Sequence, residues 1–268
     1  MIREEKIMKR VKEHYDEVCS LGFEVVAIFF LQGSQNYNCD EYSEEYMSDI
    51  DTKCIILPTL EDIVCGCSPY SHTHVCANEE HIDIKDIRVM FEMFKKQNSS
   101  YIELLFTPYY YINPKYKELF MELQRLSEAL SRMHPNQALR AMAGTSMEKF
   151  KALEHPYPGT IDKINKYGYD PKQLHHILRI NDLISRFIAD EEPYEKILIP
   201  KQPEYLMQVK KGLYSLEDAR RVAYETDKAT KKLKDENLTE IEYIDKFTEN
   251  ALDELKCKFI KQFLKESL

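Results

Sequence analysis

The hydrophobic pattern of the chain changes its period near residue 110, and this change constrains the fold more than any other feature. Before it, short apolar segments rich in β-branched and aromatic residues end in turn residues, as strands do. After Asn113-Pro114, apolar residues recur at helical spacing, and prolines mark the breaks. The pattern predicts an α+β protein, with a small mixed-sheet core at 1–110 and an all-helical domain at 111–268.

The first half of the chain contains the predicted strands. Residues 23–31 form a buried strand that ends in Gln32-Gly33-Ser34, and residues 49–57 form a second strand that begins with acids. Residues 71–77 and 81–87 predict a hairpin, and Asp86 is the expected N-cap of the next helix. Further helices are predicted at 3–19, 59–65, 115–133, 136–154, 170–189, 215–235 and 239–266.

Composition and charge exclude several classes of protein. The longest apolar run, Val25 to Leu31, is too short to cross a bilayer, and the charged residues 1–20 are unlike a signal peptide. The 7 cysteines are too irregular for a disulfide framework, so we expect a cytoplasmic protein. A net charge of −9 disfavours non-specific binding to DNA or RNA, because phosphate contacts dominate that affinity.

Five residues form the candidate site for chemistry: Gly33, Ser34, Asp49, Asp51 and Asp83. A strand that leads into Gly-Ser and a helix start presents backbone N–H groups and a hydroxyl to a phosphate, and glycine lets it approach closely. Asp49 and Asp51 are two apart on a strand, so their carboxylates share one face and repel each other unless a cation lies between them. Oxygen ligands of this kind suit Mg²⁺, which takes its remaining ligands from water and phosphates. Asp83 either completes a two-metal site or takes the proton of an attacking hydroxyl.

The order of these residues is similar to a known signature. Gly33-Ser34 followed by Ser48-Asp49-Ile50-Asp51 resembles the minimal nucleotidyltransferases of the polymerase-β superfamily. The chain is similar in particular to predicted bacterial and phage nucleotidyltransferases that carry a C-terminal helical domain with a Gly-Tyr-Asp, Lys, His, Arg pattern. In this sequence the pattern is Gly168-Tyr169-Asp170, Lys172, His176 and Arg179. Segments 81–88 and 102–106 are also similar, and the resemblance covers most of residues 20–190.

The resemblance implies transfer of a nucleoside monophosphate from a nucleoside triphosphate to an acceptor hydroxyl, with release of pyrophosphate. It implies that two Mg²⁺ ions, for which Mn²⁺ can substitute, are bound by the catalytic acids Asp49, Asp51 and Asp83. It assigns nucleotide binding to Gly33, Ser34, Lys172, His176 and Arg179. Asp86 competes with Asp83 for the role of third acid. The acceptor (a protein, a small molecule or an RNA end) and the choice among ATP, GTP, CTP and UTP are left open, and the acidic segment between Ser34 and Asp49 departs from the pattern.

Helix 170–189 has two interpretations that the residues alone leave open. At about 100° per residue, Lys172, His176, Arg179 and Arg186 fall on one stripe of the helix. A cationic stripe that faces the carboxylates would stabilise the triphosphate and the leaving pyrophosphate. The alternative is an ordinary solvated helix face, as most charged stripes are.

A cluster of Cys65, Cys67, His72, His74 and Cys76 suggests a zinc site. Its spacing matches no standard zinc finger, although a strand would place His72, His74 and Cys76 on one face. A histidine that lines the nucleotide cleft is the competing interpretation.

Three classes of function remain open at this point. The first is an active nucleotidyltransferase. The second is a non-catalytic nucleotide-binding or regulatory protein with the same fold, which the complete acidic set argues against. The third is a toxin–antitoxin-type transferase that modifies a cognate protein.

Overall fold

The computed structural model describes residues 3–23, 26–44 and 46–267. Its strands are β1 (Val26–Gln32), β2 (Asp51–Ile56), β3 (Ser71–Val75), β4 (His81–Asp86) and β5 (Tyr110–Ile112). Its α-helices, in chain order from α1 to α13, are Arg3–Ser20, Leu60–Val64, Ile87–Lys95, Ser99–Ile102, Lys117–Arg125, Ser127–Ser131, Pro135–Ala152, Ile161–Tyr167, Pro171–Ala189, Tyr194–Leu198, Pro203–Lys210, Leu216–Asn237 and Lys246–Ser267. Short 3₁₀ turns cover Ser34–Tyr37, Glu103–Phe106 and Pro114–Tyr116.

The five strands form one mixed sheet in the order β3-β4-β2-β1-β5. Strand β2 is antiparallel to β1 and parallel to β4, while β3 and β5 are antiparallel edge strands. Residues 52–56 of β2 are all buried and Asp51 is partly buried, as expected for a central strand with a neighbour on each side. The predicted strand at 23–31 begins at Val26 among the described residues, because Glu24 and Val25 lie outside them.

The chain divides into two compact units. The sheet unit contains Met1–Asn36, Asp40–Met133 and Ile244–Leu268, and the helical unit contains Tyr37–Cys39 and His134–Tyr243. These units do not coincide with the division predicted at residue 110. Residues 111–133 and α13 group with the sheet because their aromatic side chains pack there: Phe120 contacts Phe30 and Tyr110, and Phe259 contacts Phe91 and Tyr116.

The two faces of the sheet have different environments. Helix α1 covers one face, where Ile7 and Val11 pack with Phe29, Cys54 and Ile82 in one apolar cluster. On the other face, the buried side chains of Ile28, Phe30 and Ile55 give way to Lys53 and Asp83 towards the start of β2 and β4. Alternation along the strands therefore separates an apolar face from a face that carries charge.

The helical unit has a core of its own. Tyr169, Leu174 and Ile177 are fully buried, together with Val209 and Ala219 from later helices. Tyr169 also donates a hydrogen bond from its hydroxyl to the carbonyl of Tyr214, 3.0 Å away.

The α+β class predicted from the sequence is confirmed, with a small mixed sheet in the first half and helices through the rest. Asp86 is the N-cap of α3, as predicted, and accepts the N–H of Arg88. None of the described helices combines the length and the hydropathy that a membrane span requires.

Candidate functional site

The turn after β1 lies at the end of the sheet where β2 begins. Gln32, the last residue of β1, is paired with Asp51, the first residue of β2. Gly33 follows with a φ of +112°, a conformation that glycine adopts without strain. The helix start expected after Gly-Ser is a single 3₁₀ turn that Ser34 opens, so the backbone N–H groups exposed here are those of a short turn.

Side-chain hydrogen bonds hold this turn in place. The amide of Asn36 donates to the carbonyl of Leu31 at 3.1 Å and its backbone N–H donates to the carbonyl of Gly33 at 3.1 Å. The hydroxyl of Thr107 donates to the side-chain oxygen of Asn36 at 2.6 Å. The turn is thus fixed to β1 and to the segment before β5 independently of any ligand.

The segment with Asp49 and Asp51 is directed by the residue between them. Ile50 is buried in the apolar cluster on the α1 face, so Asp49 and Asp51 flank it on the opposite side. Gln35, in the turn after Gly33, donates to the carbonyl of Asp49 at 2.7 Å. Asp49 is exposed, and Asp51 is partly buried, with one oxygen 3.0 Å from the backbone N–H of His81. The turn and both acids therefore lie beside one another.

Glu80 is a positioning residue that the sequence reasoning missed. Its carboxylate accepts the backbone N–H of Ile50 at 3.0 Å and the guanidinium of Arg10, and it lies 3.1 Å from Nε2 of His14. His14 is completely buried, and its other ring nitrogen lies 3.0 Å from the hydroxyl of Thr52. Burial opposes ionisation, but the hydrogen bonds from His14, Asn78, Arg10 and Ile50 lower the pKa of Glu80 to about 2.

The acidic loop between the turn and Asp49 is partly neutralised from within. Arg3 donates to both oxygens of Asp40, at 2.9 and 2.5 Å, and also to the carbonyl of Gln35 at 2.9 Å. The side chain of Asp40 is almost completely buried against this guanidinium. Arg3 thus balances the negative charge of Asp40, one of the acids by which this loop differs from the family pattern.

Asp83 lies on the neighbouring strand and has partners of its own. It is paired with Lys53 in the parallel ladder, and the ammonium of Lys53 lies 2.9 Å from one of its oxygens. The hydroxyl of Thr73 donates to the other oxygen at 2.6 Å, and Lys85 lies 3.8 Å away. Burial opposes ionisation, but Lys53 and Thr73 lower the pKa of Asp83.

Lys53 is the second residue that the sequence reasoning passed over. Its side chain is almost fully buried, and its ammonium lies 4.5 Å from the centre of the Tyr101 ring. Burial lowers the pKa of Lys53, against the opposing effect of Asp83. The residue follows Asp51 by two positions, so strand alternation directs both to the same face.

The three predicted acids share one end of the sheet without converging on one point. Asp83 stands across from Lys53, two residues beyond Asp51, which separates the Cα atoms of Asp51 and Asp83 by about 8 Å. In the described part of the chain, the ligand atoms of Glu17, His74 and Cys76 lie within 4.8 Å of one another. The three aspartates do not form such a group there. Asp86, the alternative third acid, is buried at the far end of β4 and held by Arg88.

The cysteine and histidine cluster does not assemble as one set. Cys65, Cys67 and His72 are exposed, whereas His74 and Cys76 face Glu17 of α1. Glu17 had no signal in the sequence, because its proximity depends on how α1 packs on the sheet.

In the helical unit, the Gly-Tyr-Asp pattern has structural roles. Gly168 ends α8 with a φ of +80°, and Tyr169 is buried in the core. Asp170 caps α9 and accepts the N–H of Lys172 at 2.9 Å.

Two residues of the predicted cationic stripe of α9, Arg179 and Arg186, are buried, and Lys172 and His176 are partly buried. Arg179 is 8% exposed, and its guanidinium stacks 3.5 Å from the centre of the Tyr37 ring. Burial lowers the pKa of His176 well below its usual value. Arg186 donates to the carbonyls of Ile199 and Lys196 at 2.6 and 3.0 Å, so its role is structural. The interpretation as an ordinary solvated face therefore does not describe Arg179 or Arg186.

No protein-family model and no curated protein matches the chain. The residues at the end of the sheet are therefore the basis on which a function can be proposed.

Proposed function

We propose that the chain is a metal-dependent nucleotidyltransferase that transfers a nucleoside monophosphate from a nucleoside triphosphate to an acceptor hydroxyl. The observation that carries this proposal is the pairing of Gln32 with Asp51, which brings the Gly33-Ser34 turn beside Asp49 and Asp51. The parallel pairing of β2 with β4 adds Asp83 at the same end of the sheet. A turn that can bind phosphate and several acids at the same end of the sheet are what this reaction needs.

Asp49 and Asp51 fit a hard divalent cation such as Mg²⁺ or Mn²⁺. Both offer carboxylate oxygens at the end of the sheet where β2 begins, and water and phosphate oxygens can complete the coordination there. The cation, when bound, neutralises charge on the phosphates during transfer. Glu80 supports this arrangement by fixing the backbone of Ile50 between the two acids.

The residues of the turn act on the triphosphate. Gly33 has no side chain. Of the neighbouring atoms, only the side-chain oxygen of Gln35 would lie within 4 Å of a Cβ atom built at this position, at 3.5 Å. The backbone of this turn is therefore open to close approach by a phosphate, and the hydroxyl of Ser34 supplies a further donor. The resemblance also implies that nucleotide binding involves Lys172, His176 and Arg179, and we retain this as a prediction.

Asp83 is better suited to binding cations than to accepting a proton. A general base works best when its pKa is near the working pH, and Lys53 and Thr73 move the pKa of Asp83 in the opposite direction. We therefore assign to Asp83 the role of third metal-binding acid. Lys53 balances its negative charge before a second cation binds.

The proposal is tested by incubating the full chain with each of the four labelled nucleoside triphosphates and Mg²⁺. Protein, small-molecule and RNA acceptors are supplied in turn, and pyrophosphate and labelled product are measured. Asp49→Asn and Asp51→Asn retain side-chain volume and are expected to abolish transfer, while Asp16→Asn, on the exposed surface of α1, is expected to leave it unchanged. Transfer that survives in the Asp49→Asn plus Asp51→Asn double variant would refute the assignment.

One observation favours a second candidate, a nucleotide-binding protein without catalysis. The ammonium of Lys53 holds a position beside Asp83 that a second cation would require. In this alternative, the wild-type chain binds nucleotide with one cation and releases no pyrophosphate. Pyrophosphate release by the wild type and by Lys53→Met separates the two candidates. The substitution removes the ion pair with Asp83, so the turnover of a transferase changes. A binding protein releases no pyrophosphate in either form.

We also propose that the protein is cytoplasmic. None of the seven cysteines, all of which lie in the described residues, forms a disulfide, which agrees with a reducing environment such as the cytoplasm.

A further inference from the structure

Three side chains of different chemistry meet between helix α1 and the edge of the sheet. Nε2 of His74 lies 2.7 Å from a carboxylate oxygen of Glu17, and the sulfur of Cys76 lies within 4.8 Å of both ligand atoms. His74 is on β3, and Cys76 follows two residues later, so the chain directs both towards α1. The group contains one nitrogen, one sulfur and one oxygen donor.

We propose that Glu17, His74 and Cys76 form a zinc site. Thiolate, imidazole and carboxylate are the donors that Zn²⁺ takes in proteins, and three protein ligands with one open position is a common arrangement. The carboxylate and the thiolate together balance the charge of the ion. In tetrahedral geometry with bonds of about 2.1 Å, ligand atoms lie about 3.4 Å apart. Binding therefore separates Glu17 slightly from His74 and draws in a sulfur that lies as far as 4.8 Å from them.

The backbone holds the cysteine in place without the metal. The N–H of Cys76 donates to the carbonyl of Glu80 at 2.9 Å, and the N–H of Glu79 donates to the carbonyl of Cys76 at 2.9 Å. Cys76 is only 4% exposed. A ligand that is fixed and desolvated in advance loses little freedom when the metal binds.

The open side of the group determines the fourth ligand. The side chains of His74 and Glu17 are 26% and 36% exposed, so solvent reaches the group from this side and a water molecule completes the coordination. Arg10 and His14 lie close by but are engaged with Glu80, and they do not compete as ligands. The bound ion joins α1 to the edge strand and stabilises the sheet unit.

This site is distinct from the acids proposed for nucleotide transfer. It shares no residue with Asp49, Asp51 or Asp83, and its sulfur and nitrogen donors select a softer ion than Mg²⁺. It also differs from the set suggested by spacing alone, because Cys65 and Cys67 are exposed and are not part of it.

The test uses the full chain purified without a metal-affinity tag. Zinc is measured by elemental analysis, and affinity is measured by competition with a chelator of known zinc affinity. We expect one zinc ion per chain, and we expect Cys76→Ser and Glu17→Gln each to weaken binding by more than about 100-fold, since even outer partners of a metal site contribute 10- to 100-fold. Cys65→Ser and His72→Gln are matched controls and are expected to bind as the wild type does.

A spectroscopic measurement keeps the test decisive if one variant folds poorly. Co²⁺ bound by a thiolate produces a sulfur-to-metal charge-transfer band, which is expected in the wild type and in Glu17→Gln at saturating Co²⁺. The band is expected to be absent in Cys76→Ser. A wild-type chain that binds no zinc in the competition assay, or a band that disappears in Cys65→Ser instead, overturns the proposal.

Discussion

Glu80→Gln tests whether the hydrogen bond between Glu80 and Ile50 holds the acids at the start of β2 in position. The substitution retains the volume of the side chain and an oxygen that can accept the N–H of Ile50. It removes the negative charge that Arg10 and His14 contact. The amide nitrogen that replaces one oxygen faces these donors and cannot accept from them.

The size of the effect follows from the pKa of Glu80. A fall from 4.5 to about 2 corresponds to about 3 kcal/mol, at about 1.4 kcal/mol for each tenfold change in proton affinity. The side chain is 12% exposed, and solvent screens part of the interaction, so we expect a loss of about 2–3 kcal/mol in the free energy of unfolding at pH 7. For a unit of this size, that loss lowers the melting temperature by about 5–10 °C.

The pH dependence has a definite sign. Because the folded pKa of Glu80 is lower than the unfolded value of 4.5, its stabilisation is complete above about pH 4.5 and is lost as the pH falls towards 2. The difference between the wild type and Glu80→Gln should therefore shrink on acidification, to less than about half of its pH 7 value at pH 3.

Denaturant unfolding of both proteins at pH 7 and pH 3 measures these differences. Glu79→Gln is the matched control, because it removes the same charge from an exposed neighbour and is expected to change the free energy of unfolding by less than about 0.5 kcal/mol. A Glu80→Gln variant as stable as the control at pH 7, or a deficit that does not shrink at pH 3, would contradict the proposed network.

Three further predictions concern the turn, the acidic loop and the helical unit. Gly33→Ala is expected to cost about 1–2 kcal/mol of stability because alanine is strained at a φ of +112°, and to weaken nucleotide binding measured by calorimetry; unchanged binding would contradict a role for the turn. Arg3→Lys loses the two-pronged contact with Asp40 and is expected to cost about 1–2 kcal/mol by denaturant unfolding, and a neutral result would contradict the anchoring of the loop. Arg186→Met leaves carbonyls of the helical unit without their donor and is expected to cost about 3 kcal/mol, against less than about 0.5 kcal/mol for the exposed Arg221→Met; equal losses would refute the structural role of Arg186.

Elements with a strong local signal were predicted well from the sequence. The helix at 170–189 is observed as Pro171–Ala189, because Asp170 caps it and Gly168 ends the helix before it. The hairpin strands at 71–77 and 81–87 are observed as Ser71–Val75 and His81–Asp86, close to the alternation of the sequence. The last helix begins at Lys246 rather than near 239, since Thr239 bonds to Asn136 instead of starting a helix.

The contacts that organise the candidate site could not be read from local patterns. Glu80 reaches Ile50 only because β2 and β4 pair in parallel with a particular register, and no spacing in the chain specifies that register. Lys53 appeared as a residue of a buried strand, and its ion pair with Asp83 emerges only when the strands are adjacent. Glu17 joins His74 and Cys76 through the packing of α1, which is a tertiary contact.

The most direct test of the central claim is an electron paramagnetic resonance titration with Mn²⁺ in the presence of a non-hydrolysable nucleoside triphosphate. We expect the full chain to bind Mn²⁺ together with the nucleotide, the Asp49→Asn plus Asp51→Asn variant to lose this binding, and Glu17→Gln to retain it. Nucleotide-dependent Mn²⁺ binding that is unchanged in the double variant would contradict the claim that these two acids at the start of β2 hold the cation.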